Sequence, residues 1–80
     1  MLNLSIQYFA ILREQRGLER EQISTAAATP QALYEELRAK YNFSLPADRV
    51  RAAIEGEFVA STTPLREGQT VVFIPPVAGG

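Results

Sequence analysis

Thr29-Pro30-Gln31-Ala32-Leu33-Tyr34-Glu35-Glu36-Leu37-Arg38-Ala39-Lys40-Tyr41-Asn42 divides the chain, because it reads as a helix with strand-forming sequence on either side. A threonine hydroxyl at the N-cap accepts from an early helical amide. Proline at the first helical position gives up nothing, since that N–H would have no partner within the helix. Leu33, Leu37 and Tyr41 stack at four-residue spacing with Ala32 beside them, which is the stripe of a helix lying on a sheet. Glu35 and Glu36 come early and Arg38 and Lys40 late, each sign matching the helix dipole. Asn42 closes the helix and Leu45-Pro46 forbids its continuation.

Upstream, Leu2, Leu4, Ile6 and Tyr8 alternate with Asn3, Ser5 and Gln7, the period of a strand with one buried face. Gln15-Arg16-Gly17 reads as a turn, and Glu19 to Thr25 as a short, exposed edge strand. Downstream, Val50, Ala52 and Ile54 alternate with Arg51, Ala53 and Glu55. A turn at Glu55-Gly56 leads into Phe58-Val59-Ala60, giving a compact hairpin. A loop from Thr62 to Gly68 precedes Thr70 to Ile74, the most β-prone stretch of the chain. The expected order is strand, strand, helix, strand, short strand, strand. That makes one α+β layer pair, a mixed β-sheet packed on one main helix.

Eighty residues support a single small core, here without cysteine or histidine to add disulfide or zinc staples. The same absence removes the usual general bases, thiol nucleophiles and soft-metal ligands, so the acid–base work of any reaction is expected on a partner. The net charge is −1 and arginines alternate with glutamates, so neither nucleic acid nor an anionic membrane is an evident partner. No apolar run is long enough to cross a bilayer and no signal-peptide layout is present; the expected localisation is cytoplasmic.

Two features point outward from the fold. Even-numbered residues make the buried face of the first strand, so Phe9 should look away from the helix unless a bulge near Tyr8 turns it inward. The closing strand is apolar on both parities, and a sheet with one helix buries only one face within the monomer. Phe9, Phe58 and Ile74 are therefore the candidates for an apolar protein interface. The second feature is Pro75-Pro76-Val77-Ala78-Gly79-Gly80. Two prolines with fixed φ start this segment extended, so it could project up to roughly 20 Å. Its last two residues, lacking Cβ atoms, suit a tunnel too narrow for other residues. The expected organisation is a domain over residues 1–74 with a flexible diglycine tail over 75–80, whose carboxylate can be activated without breaking the backbone.

Tyr8-Phe9-Ala10-Ile11-Leu12-Arg13-Glu14, Pro64-Leu65-Arg66-Glu67-Gly68 and Val72-Phe73-Ile74-Pro75-Pro76-Val77-Ala78-Gly79-Gly80 together resemble the small, sulfur-carrying subunit of molybdopterin synthase, of the MoaD/ThiS type. The resemblance spans essentially the whole chain, and the Pro-Pro-Val element before the diglycine is its specific part. Glu55 stands where that family commonly has asparagine, and Gln69 where it has an acidic residue. Both fall in turns, where an effect on loop hydrogen bonds is expected.

The resemblance implies a ubiquitin-like β-grasp fold and a carrier that is not itself an enzyme. It implies that Gly80 is adenylated by a ubiquitin-activating-type adenylyltransferase using ATP. A sulfur donor protein then converts it to a thiocarboxylate, a covalent 1-thioglycine, with no permanently bound cofactor. Gly79 would be the thin spacer, and Pro75, Pro76, Val77 and Ala78 would direct the tail into the large synthase subunit. There its sulfur passes to cyclic pyranopterin monophosphate in molybdenum cofactor biosynthesis, within a heterotetramer. Other readings stand beside this one: a sulfur carrier for thiamine thiazole or tRNA thiolation, a ubiquitin-like modifier joined through Gly80, or an interaction module without chemistry.

Overall fold

A computed structural model describes residues 1–76 of the chain. Its elements are β1 (Leu2–Tyr8), α1 (Ala10–Arg16), β2 (Arg20–Thr25), α2 (Pro30–Tyr41), β3 (Arg51–Ile54), β4 (Glu57–Val59) and β5 (Thr70–Ile74), with a 3-10 turn at Ala47–Arg49. The strands form one sheet in the order β2-β1-β5-β3-β4. β5 lies at its centre, parallel to β1 and antiparallel to β3. That position suits its sequence, since a central strand is covered along both edges and apolar on both faces. The outer strands are β2 and β4, as the weak pattern of the first and the shortness of the second imply.

α2 begins and ends where expected. Thr29 Oγ1 accepts from the Ala32 N–H at 3.2 Å, and Asn42 closes the helix at φ 58° with its N–H on the Arg38 carbonyl. The stripe on α2 differs in two residues from the one read in the sequence. Ala32 is exposed, and Tyr34 is buried in its place with Leu33 and Leu37, its hydroxyl donating to the Leu45 carbonyl at 2.8 Å. Glu35 and Glu36 fall in the middle of the helix rather than in its first turn, which contains no acid. Glu36 instead accepts from Thr25 Oγ1 at 2.8 Å and ties the helix to β2.

The core sits between α2 and one face of the sheet. Leu4, Ile6 and Tyr8 from β1, Ala52 and Ile54 from β3, and Val71 and Phe73 from β5 meet Leu33, Tyr34 and Leu37. Phe43, to which the sequence assigned no role, is 3% exposed at the hub of an aromatic cluster. Its ring centroid lies 5.7 Å from that of Tyr8, 5.8 Å from Tyr34 and 6.0 Å from Tyr41.

α1 corrects the expected order of elements. The Gln15-Arg16-Gly17 turn is the C-terminus of a seven-residue helix, capped by Gly17 at φ 82° with its N–H on the Arg13 carbonyl. So short a segment buries only Leu12 and has no side-chain N-cap, so it leaves almost no periodicity in the sequence. It is held in place from outside. Arg16 pairs with Glu21 of β2, and Gln15 exchanges two hydrogen bonds with Ser44, donating to the hydroxyl at 3.0 Å and accepting from the backbone N–H at 3.1 Å.

Candidate functional site

β1 stops at Tyr8, yet Phe9 keeps an extended backbone, φ −126° and ψ 152°, before Ala10 turns the chain at φ 52°. The parity of the strand therefore persists for one residue past its end. Phe9 points away from the core and is 38% exposed, and no bulge turns it inward. Leu12, Arg16 and Gln15 pin the helix that follows, so the position of Phe9 is set by α1, an element the sequence reading lacked.

Register assembles the rest of the open face, the side of the sheet that α2 leaves uncovered. Ala53 pairs with Phe58 on one side and with Val72 on the other, and Val72 pairs with Gln7. These residues form one row across four strands. The next row toward the tail contains Arg51 opposite Ile74. Phe9 continues it, because Tyr8 and Phe73 are partners and each chain takes one further step. Phe58 is 56% exposed, and the Arg51 guanidinium lies 4.1 Å from the centroid of its ring. Successive strands are about 4.8 Å apart, so the patch is roughly 14 Å wide across the strands from β1 to β4.

All three residues named from the sequence as interface candidates thus lie on one face, in adjacent rows beside the point where the chain leaves the sheet. Arg51, Ala53 and Val72 also belong to that face and were not singled out. Alternation alone marked Ala53 as outward, but only the β3–β5 register sets it between Val72 and Phe58, where it is buried without joining the helix-side core. Ile11 and Leu18 are further exposed apolar side chains.

The strand that leads into Pro75 is held within the sheet. Phe73 is buried with its ring centroid 5.3 Å from that of Tyr34, and β5 is paired with β1 as far as Phe73 and with β3 as far as Ile74. Pro75 is half-buried and Pro76 exposed, so the chain emerges from the sheet where the prolines begin. Val77, Ala78, Gly79 and Gly80, named from the sequence as tail and reactive end, lie outside the described residues.

The two departures from the family pattern act within their turns. Glu55 and Gly56 take φ 50° and 86°, the paired positive values of a tight hairpin, for which Asn-Gly is the favoured sequence. Glu55 offsets its strain locally: its carboxylate accepts from the Thr70 N–H at 2.8 Å, and its own N–H donates to the Thr70 carbonyl at 3.2 Å. The Gln69 amide oxygen accepts from the Arg66 N–H at 2.7 Å, a bond an acidic side chain could equally make. Among the described residues no cluster of histidine, cysteine, aspartate or glutamate could hold a metal ion, and no helix is long and apolar enough to cross a membrane.

A five-stranded mixed sheet folded around one long helix, with the first and last strands parallel at its centre, defines a ubiquitin-like β-grasp protein. Residues 6–80 match the ThiS family, and the chain belongs to it. It is 29% identical over 80 residues to the molybdopterin synthase sulfur carrier subunit of Escherichia coli (strain K12), with 96% of this chain and 99% of that protein covered. Its fold is similar to the solution structure of the Haloferax volcanii HVO 2177 protein, with a TM-score of 0.81 at 28% identity over 99% of this chain and 87% of that one. It is also similar in fold to a chain in the complex of subunits 1 and 2 of molybdopterin-converting factor from Helicobacter pylori 26695. There the TM-score is 0.68 at 22% identity, over 99% of this chain and 100% of that one.

Proposed function

We propose that this chain is the sulfur carrier of a molybdopterin synthase and docks on a large catalytic subunit through Phe9, Ile74 and Phe58. The observation that carries this reading is the convergence of the exposed face of the sheet on the start of Pro75-Pro76. A surface that binds there aims whatever follows Pro76 into the same partner. The end-to-end likeness to a named sulfur carrier supports the chemistry, and the pairing of subunits 1 and 2 in the Helicobacter pylori complex supports a two-subunit arrangement.

In this mechanism the Gly80 carboxylate attacks the α-phosphorus of ATP on an adenylyltransferase and expels pyrophosphate. A bare carboxylate is a poor acyl donor because its leaving group would be oxide; the acyl-adenylate offers AMP instead. A donor protein delivers sulfur at the sulfide level; this sulfur attacks the acyl carbon, displaces AMP and leaves a thiocarboxylate on Gly80. In the large subunit the thiocarboxylate sulfur bonds to a carbon of cyclic pyranopterin monophosphate, and water cleaves the resulting thioester, leaving the sulfur on the pterin and the carboxylate on Gly80. The carrier supplies reach and a rigid base: Phe73 and Val71 anchor β5 in the core, so binding energy at the patch positions the tail without loosening the fold.

Intact mass of the protein purified from its native host tests the reading. The expected species is the chain ending at Gly80 with one oxygen replaced by sulfur. Gly80→Glu, or one residue appended after Gly80, should remain folded and carry no sulfur. A chain conjugated to another protein, or one never found with the sulfur increment in cells making molybdenum cofactor, would overturn it.

A further inference from the structure

Arg51 is a charge placed among apolar side chains on the open face. It stands opposite Ile74 in the row nearest the tail, and its guanidinium is stacked on Phe58 at 4.1 Å. The ring holds the guanidinium by cation–π attraction and leaves its edge, with the N–H donors, free. Among the described residues, arginine side-chain hydrogen bonds come from Arg16 and Arg38, and the ion pair is Arg16 with Glu21. Arg51 has neither kind of partner there. Glu57, on the same strand as Phe58, pairs with Ile54 and so has the opposite parity. Arg13, Arg20, Arg49 and Arg66 are also exposed but stack on no ring.

A partner that covers Phe58 and Ile74 must also cover Arg51, and burying an unpaired guanidinium would cancel much of what the apolar contacts contribute. We infer that Arg51 makes the patch selective for an acidic partner: the surface of the large subunit carries a carboxylate beside the hollow that receives Phe58, and this carboxylate takes a forked pair of hydrogen bonds from Arg51. The inference rests on the docking proposed above. It adds a specificity residue, since apolar contact alone would accept any hydrophobic hollow while the paired charge rejects a neutral or basic one.

The test is the dissociation constant between the full chain and the large subunit, measured calorimetrically at low and high salt for wild type, Arg51→Leu, Arg51→Lys, Arg51→Glu and Phe58→Asp. Circular dichroism and thermal melting serve as fold controls. Arg51→Leu should weaken binding about 10-fold and Arg51→Glu about 100-fold or more, while Arg51→Lys lies between wild type and leucine. Wild-type affinity should fall with salt more steeply than that of Arg51→Leu, which a loss of packing alone would not produce. If Phe58→Asp weakens binding while Arg51→Leu binds as well as wild type with the same salt dependence, the charge pairing is wrong and the docking stands. If Phe58→Asp also binds normally, the docking reading fails first.

Discussion

Arg16 grips both carboxylate oxygens of Glu21, with Nε 2.8 Å from Oε2 and Nη2 2.8 Å from Oε1. The Tyr8 hydroxyl donates to the same Oε2 at 2.6 Å, and the Arg16 guanidinium lies 4.0 Å from the centroid of the Tyr41 ring. One inward-facing acid on an edge strand thus joins α1, β1, β2 and α2. It also keeps β2 from reading as a free apolar edge.

Glu21→Gln should lower stability by about 1–3 kcal/mol at neutral pH, because a charged, forked contact becomes a neutral one. Arg16's hydrogen bonds hold the Glu21 carboxyl below its ordinary 4.5, against the opposing effect of burial. A depressed carboxyl contributes stability that is present above the unfolded-state value and lost as pH falls through the folded one. The gap between wild type and Glu21→Gln should therefore narrow as pH drops below about 4.5. Urea unfolding at a series of pH values measures it, and a gap that stays constant into strong acid would exclude this role.

The hairpin turn offers a second test. Glu55→Ala keeps the unfavourable positive φ and loses the acceptor for the Thr70 N–H, and should destabilise the protein by about 1 kcal/mol. Glu55→Asn should recover a large part of that loss relative to alanine, since asparagine tolerates this backbone best among non-glycine residues. Thermal melting of the two variants decides it; equal melting temperatures would show that backbone conformation at residue 55 does not matter.

Thr29→Ala removes the side-chain cap of α2 and should cost about 1 kcal/mol without altering the fold. Thr29→Ser should stay near wild type, because its hydroxyl can accept from the Ala32 N–H. Denaturant midpoints with an unchanged slope are the expected signature.

Phe9→Asp should weaken large-subunit binding by at least about 2 kcal/mol while changing monomer stability little, since the side chain lies outside the core. Leu12→Ala, in the helix that fixes Phe9, should instead cost about 2–5 kcal/mol of stability. A Phe9→Asp variant that binds with an unaltered constant would remove this residue from the interface.

Much of the fold was legible in the chain itself because the informative signals were local. Strand alternation in Leu2–Tyr8, the Thr29-Pro30 start and Asn42 stop of α2, and the Glu55-Gly56 turn all depend on neighbours within four residues. Phe9 was legible for the same reason, as a break in local parity. α1 was not: a seven-residue helix is stable only through Leu12, the Gln15–Ser44 bonds and the Arg16–Glu21 pair, all of them contacts with other elements.

The aromatic hub at Phe43 and the place of Arg51 were likewise hidden. Phe43 follows the helix in an irregular segment, where no period assigns a face, and only the meeting of Tyr8, Tyr34 and Tyr41 buries it. The sequence by itself determined which residues alternate, where the helix starts and stops, and that two prolines follow the closing strand. Tertiary structure decided that Phe9, Ile74, Arg51 and Phe58 share one surface, because the register between strands distant in sequence is set by how the whole core packs.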